Sequence, residues 1–581
     1  MMKSLQETIP SVIRSVLLFT GWFLRQCYRY VRARGRALLR PTLPVSGEKD
    51  RSDPFPPSFQ DFIRVNSAFW NSSTASVPER QAEYILVEGL ANHPLYLLLN
   101  ALIAGYLARE TALPMIALLS SPAERKNIKL FQSYGVRDFV FLSDRKPRML
   151  DMLRCAMLAT TSLRGGSGGD DLLAIELGGI DFGRLVYSHS ARNTGNGTIE
   201  NLSPLIFDML VDALCYRCYF DRLFEQRRFP ILVQSQADLS RWSILAQVAL
   251  KHGAVVYSRL GGPTRISVRR YDDLNQIRIS KYRPTQELFE YVYEHYRKEA
   301  IAAADAHMQR RFSGRVTINE AMDAQLPFSK DRRIVSKEEL CREFGWSVEK
   351  PIVCILPHIF IEALHSTTWE LFPDYLTWFR CTLQAIRKID HVNWLVKSHP
   401  SEINYRESRQ TAQGEYESLA ADCEHVQFMP KDVSTSSLLA IAHAILTVRG
   451  TPGLEFACFG IPSVLASEAP YSGFGFTVEP ESGEEYLALL KNIHTLEPLS
   501  DSQVERAKVA AYIYLQLSRV ESKLIPNFSP YADVDEEAGW RDAADRIRDY
   551  DALEDRLCPM LQIQLREKHR HLLNYDWIGW S

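Results

Sequence analysis

Trp394-Leu395-Val396-Lys397-Ser398-His399-Pro400 runs an apolar stretch directly into a lysine, a histidine and a proline. The apolar part reads as a strand, and the proline steers His399 away from helical geometry, which holds the imidazole at the strand's carboxyl edge. Lysine and histidine in that position offer donors to phosphate oxygens. A surface loop carrying an incidental histidine would spell the same four residues, so the surrounding chain has to decide.

Fifty residues on, Ile445-Leu446-Thr447-Val448-Arg449-Gly450-Thr451-Pro452-Gly453-Leu454-Glu455-Phe456 reads as strand, tight turn and helix. Gly450 and Gly453 allow close backbone approach, Thr451 suits an N-cap, and Pro452 suits the first helical position. Free amides at such a helix start form an anion site. Glu455, one turn in, is better matched to sugar hydroxyls than to phosphate; a solvated capping acid is its plainer reading. Between the two segments, Asp432-Val433-Ser434-Thr435-Ser436-Ser437 is a hydroxyl-rich helix start that either caps a helix or faces a phosphate or base.

Outward from these segments the chain alternates. Ile352–Leu356, Asn393–Val396, Val426–Phe428, Ala444–Thr447 and Ser463–Leu465 read as strands separated by helices. An earlier series does the same at Tyr84–Val87, Met115–Leu119, Phe139–Leu142, Ile231–Val233 and Ala254–Tyr257. Strands alternating with helices of ten to fifteen residues indicate βαβ units and parallel sheets. Two such series predict an α/β protein with two facing Rossmann-like domains, whose ligands sit at the carboxyl ends of the strands. The expected division is a basic amphipathic helix over 1–45, a Pro/Ser-rich linker over 46–80, a first domain over 81–330, a second over 331–530, and C-terminal helices over 531–581.

Composition narrows the function. The 581 residues carry 68 Lys+Arg against 70 Asp+Glu, which gives no global reason for a nucleic-acid partner. Cys215 and Cys218 form the one C-x-x-C among ten cysteines, without the second pair or histidines of a zinc ribbon, so free thiols of a reducing cytosol are expected. The charge is uneven, however. Residues 1–40 hold eight Lys or Arg and a single acid, Glu7, around the short apolar run 16–24. That run is too short to span a bilayer and lacks the layout of a signal peptide. An interfacial helix is expected, with Ile13, Leu17, Trp22, Phe23, Tyr28 and Val31 toward acyl chains and the arginines toward anionic headgroups; docking on the protein itself is the alternative.

The pair Lys397–Pro400 and Thr447–Phe456 resembles the bacterial capsular-polysaccharide glycosyltransferases of the GT-B fold. The Kdo-transferase-like capsule proteins are the nearest group, with polysialyltransferases and CDP-glycerol glycerophosphotransferases more distant. Glu176–Tyr187 resembles a segment of the first domain of the capsule proteins, although Ser188 stands where an Asp is expected. The resemblance implies transfer of a sugar from a CMP- or CDP-linked donor to a growing glycan, without cofactor or metal. It assigns Lys397 and His399 to the donor phosphate. Ser434, Ser436 and Ser437 and the turn of Arg449, Gly450, Thr451 and Gly453 support it, Glu455 holds the ribose, and His358 lies close by. The general base should come from the first domain: Glu88 follows its first strand, as does His93, with Asp181 and His189 as further candidates. The implied partners are a nucleotide sugar, a glycan or glycolipid acceptor and the cytoplasmic face of an anionic inner membrane, with no nucleic acid. A CDP-polyol phosphotransferase and a non-catalytic assembly subunit are the alternatives of the same fold.

Overall fold

The computed structural model describes residues 16–26, 55–71, 83–91, 93–144, 149–163, 168–237, 240–260, 265–280, 282–315, 326–329, 331–528 and 535–579. The first sheet contains β1 (Glu83–Gly89), β2 (Met115–Leu119), β3 (Asp138–Phe141), β4 (Arg228–Gln234), β5 (Val255–Leu260), β6 (Arg265–Tyr271) and β12 (Val520–Glu521). The second contains β7 (Ile352–Ile355), β8 (Asn393–Val396), β9 (Val426–Phe428), β10 (Ala442–Thr447) and β11 (Ser463–Leu465).

Their orders are β12-β6-β5-β4-β1-β2-β3 and β11-β10-β7-β8-β9. Each sheet therefore winds outward in both directions from its own first strand, the doubly wound order of Rossmann-like domains. β1 to β5 pair in parallel, as does the whole second sheet, whereas β6 and β12 add antiparallel edges. Parallel strands are covered on both faces and so need continuous apolar runs. Ile85, Leu86 and Val87 of β1 and Trp394, Leu395 and Val396 of β8 are accordingly fully buried.

Three expectations need correction. Part of the expected linker is the helix Pro57–Asn71, because Phe59, Phe62 and Trp70 recur at helical spacing and are buried. Phe59 and Phe62 lie 4.8 and 5.2 Å from the Trp540 ring of the helix Glu536–Arg548. The chain also returns to the first domain before 531: β12 pairs with β6, and Arg570 O accepts the Arg270 amide at 2.8 Å. Finally, Trp22 faces protein rather than solvent, at 3% exposure in the core of the first domain; Ile13, Tyr28 and Val31 lie outside the described residues. The nine described cysteines are free thiols.

Candidate active site

Order reverses in the second sheet between β7 and β10, both starting from the centre and diverging. The crevice at the carboxyl end of such a switch point is where these sheets bind ligands. A cavity of about 350 Å³ opens there. Its walls come from the three strand ends named by sequence: Leu356-Pro357-His358 after β7, Lys397-Ser398-His399-Pro400 after β8, and Arg449-Gly450-Thr451-Pro452 after β10. Arg311, Glu455, Thr435 and Glu362 add to its polar lining, with Tyr282, Phe328 and Tyr514 among the apolar and aromatic walls. None of the lining residues belongs to the first sheet.

Cations and imidazoles dominate the cavity. His399 is the N-cap of the short helix Pro400–Asn404, and its Nδ1 accepts the Ser401 amide at 3.2 Å. An accepting Nδ1 puts the proton of the neutral ring on Nε2, which makes that nitrogen a donor. Burial, then the charge of Lys397, depresses the His399 pKa to about 4, so the ring is neutral through the physiological range. His358 stacks beside it, with ring centroids 6.0 Å apart and planes 19° from parallel. Its Nε2 is buried without a hydrogen-bond partner. Burial, His399 and Arg449 hold its pKa well below the ordinary histidine value. Lys397 is lowered to about 8 by burial and then by Arg332, against the opposing pull of Glu455. An amine with that pKa is mostly charged at neutral pH and strongly favoured to stay so beside an anion.

The turn at Gly450 works differently from its sequence reading. Thr451 has helical φ and ψ and makes no side-chain cap. The Gly450 amide donates to Thr447 Oγ1, the Gly453 amide to Gly450 O, and the Leu454 and Glu455 amides to Thr451 O. These four N–H groups are spent inside the turn. The glycines are needed for packing: a Cβ on Gly453 would stand 2.2 Å from Tyr471 Oη, whose hydroxyl donates to Gly450 O. The expected anion grip of the amides therefore passes to side chains.

The serine cluster is corrected in the same way. Ser434 and Ser436 donate to Pro327 O and Phe312 O, and Ser437 accepts the Val335 amide. These bonds tie the chain at 312–335 to the second sheet, and none of the three serines lines the cavity. Thr435, between them, does, and its buried Oγ1 has no partner.

Glu455 is present in the cavity but not free. Arg311, from the helix Arg297–Phe312, donates Nε to Glu455 Oε1 at 2.6 Å, and both side chains are nearly buried. Nothing local marks Arg311, because its partner stands 144 positions away.

Glu88 is in neither this cavity nor a free state. Fully buried, it accepts hydrogen bonds from the amides of Leu90, Ala91 and Ser235, from Asn100 Nδ2 and from Ser235 Oγ. A carboxylate so saturated positions strand ends, and the geometry gives it a structural task instead of that of a base. His93 caps the helix Pro94–Thr111 by accepting the Leu95 amide. Asp181 is paired with Arg278 at 2.8 Å, and His189 lies against Asn193 on its own helix. Glu362 is the acid at the cavity that sequence left unassigned; its Oε1 accepts the Tyr405 hydroxyl at 2.5 Å.

Contacts between the two domains gather beside the cavity. Tyr187 donates to Asp374 Oδ2 at 2.6 Å, Arg184 to Thr367 O at 3.2 Å, and the Gly197 amide to Gln410 Oε1 at 3.0 Å. Fold and site together define a two-lobed α/β protein with a cation- and imidazole-lined pocket at the switch point of its rear sheet.

No protein-family model and no curated protein matches the sequence. Among solved structures, the chain is similar to the beta Kdo 2,7 transferase of Thermosulfurimonas dismutans KpsC, at 16% identity over 56% of this chain and 88% of that one, TM-score 0.30. It is similar to the beta Kdo 2,4 transferase of the same KpsC at 13% identity, over 48% and 79%, TM-score 0.30. A UDP co-structure of S. aureus MnaA is similar at 8% identity, over 74% and 92%, TM-score 0.25.

Proposed function

We propose that this chain is a metal-independent glycosyltransferase of the GT-B type, moving a sugar from a CMP-linked nucleotide to a capsule or surface polysaccharide at the cytoplasmic face of an anionic inner membrane. The observation that carries the reading is the convergence of Lys397, His399, His358 and Arg449 on one switch-point cavity. Loss of the sugar leaves negative charge on the nucleotide phosphate. Fixed donors beside that charge, held on buried residues, stabilise it in the transition state more than in the ground state. His399 donates from Nε2 and Lys397 supplies the formal charge. Thr435 adds a hydroxyl, and Glu455, held still by Arg311, offers its second oxygen to the ribose. Glu362, at the same cavity, is the carboxylate in reach of an acceptor hydroxyl.

The test is a thermal-shift screen of CMP, CDP, UDP and GDP. A ligand at 100 times its Kd stabilises by about 2.7 kcal/mol. CMP or CDP is expected to give the largest shift, and His399→Ala and Glu455→Ala to cut it to well under half. A preference for UDP overturns the cytidine assignment; no shift with any of the four overturns the donor site.

A further inference from the structure

Fifteen large apolar side chains are exposed among the described residues, and nine of them fall on three helices of the first domain. Val16, Leu17, Phe23 and Leu24 are on the helix 16–26, Leu205 begins the helix Pro204–Gln226, and Met149, Leu150, Met157 and Leu158 are on the helix Met149–Ser162. Leu24, Leu150 and Met157 are each more than 60% exposed. Scattered single residues need no explanation, but a concentration of this kind marks a surface that meets something.

The three helices form one face. Asp151 pairs with Arg222 at 2.6 Å, and Cys155 Sγ lies 3.8 Å from Cys218 Sγ. From the other side, Arg25 pairs with Asp208 at 2.7 Å and reaches Pro204 O. Positions 204, 208, 218 and 222 lie within about 80° of one another around a helix of 3.6 residues per turn. The helices 16–26 and Met149–Ser162 are thus laid end to end along a single side of Pro204–Gln226. Their inner residues, Leu18, Phe19, Trp22, Cys155, Ala156 and Ala159, join one core cluster, so their outer residues project the same way.

Charge identifies the occupant. Arg154 is exposed on the outer face of Met149–Ser162. By sequence this helix is preceded by Arg145-Lys146-Pro147-Arg148 and followed by Arg164, and the helix 16–26 lies within the eight-base segment 1–40. Asp151 and Asp208 are each neutralised by their arginines. Exposed apolar side chains on a helix that bears Arg154 and is flanked in the sequence by bases match acyl chains beneath anionic headgroups. No described helix is long and apolar enough to cross a membrane, so the geometry fits lying on one.

We propose that the helix Met149–Ser162 is a second membrane-docking element, inserting Leu150, Met157 and Leu158 into an anionic leaflet beside the helix 16–26. This deepens, and rests on, the membrane apposition proposed above. The experiment is co-sedimentation of the full chain with vesicles of phosphatidylcholine alone and with vesicles made anionic by added phosphatidylglycerol. The comparison is with the triple variant L150S/M157S/L158S and with L17S/L24S. The parent should bind the anionic vesicles only, and each variant about tenfold more weakly while keeping the parent's unfolding temperature. Binding of the triple variant equal to the parent, with L17S/L24S impaired, overturns the second element and leaves the membrane reading standing. Absence of parent binding overturns both. A stable dimer in sedimentation velocity that the triple variant dissociates overturns the lipid assignment in favour of a second copy.

Discussion

The molecule contains two sheets wound in the same order, and their switch points have opposite fates. Between β1 and β4 the crevice is closed by the chain's own carboxylate: Glu88 gathers five donors from Leu90, Ala91, Asn100 and Ser235. Between β7 and β10 the crevice is open, and two of the side-chain atoms lining it, His358 Nε2 and Thr435 Oγ1, are buried without a hydrogen-bond partner. A saturated acid stabilises a fold and has nothing left for a ligand. Unmet donors beside a cavity cost stability in the empty protein and are repaid when a ligand meets them. The same topology thus carries a closed hydrogen-bonded cluster in one sheet and an open cavity in the other.

Breaking the closed cluster should give the largest effect. Glu88→Ala removes the acceptor of five hydrogen bonds, leaving the buried Leu90 and Ser235 amides unmet, and is expected to lower unfolding free energy by about 4 kcal/mol, read by denaturant titration. Whatever folded protein remains should bind CMP with unchanged Kd. Next comes the open cavity: His399→Ala should weaken CMP by about thirtyfold, from a lost charge-assisted hydrogen bond of about 2 kcal/mol. Its unfolding temperature in the absence of nucleotide should barely move.

The pH profile sharpens the contrast further. Lys397 is cationic below about 8 in the empty site, so affinity for the nucleotide should be flat from pH 7 to 8. Above that, binding has to recruit a proton, and calorimetry should show a fall of about tenfold per pH unit. Lys397→Met should remove this slope. The smallest change is Thr435→Val, which removes an unpartnered hydroxyl: affinity should fall about fivefold, near 1 kcal/mol, with no loss of stability.

How far the sequence leads depends on whether a signal is local. Met115–Leu119, Asn393–Val396, Val426–Phe428 and Ser463–Leu465 were readable to the residue because buried parallel strands must be unbroken apolar runs. β6 is hidden in the sequence by Arg265, Arg269 and Arg270: the last two are buried on a strand that the returning C-terminal segment bonds to, and that cover is invisible in the local pattern. At the site, Lys397, His399 and His358 were legible because strand ends carry ligands in this topology. The resemblance assigned the hydroxyl-rich turn to its serines, whose backbone bonds only tertiary structure reveals, while Thr435 is the one of the four that lines the cavity. Arg311 could not be found, since nothing near it in the chain points to Glu455. Glu88 shows the converse: its position after the first strand was right for a ligand, and its neighbours had already claimed it.

A structure of the chain with CMP bound tests the contrast most directly. The phosphate should lie about 2.7–3.2 Å from His399 Nε2 and Lys397 Nζ, with the Glu88 cluster unchanged. Density for the nucleotide at the β1–β4 crevice, or anywhere that leaves His399 Nε2 without a phosphate oxygen, would contradict the account.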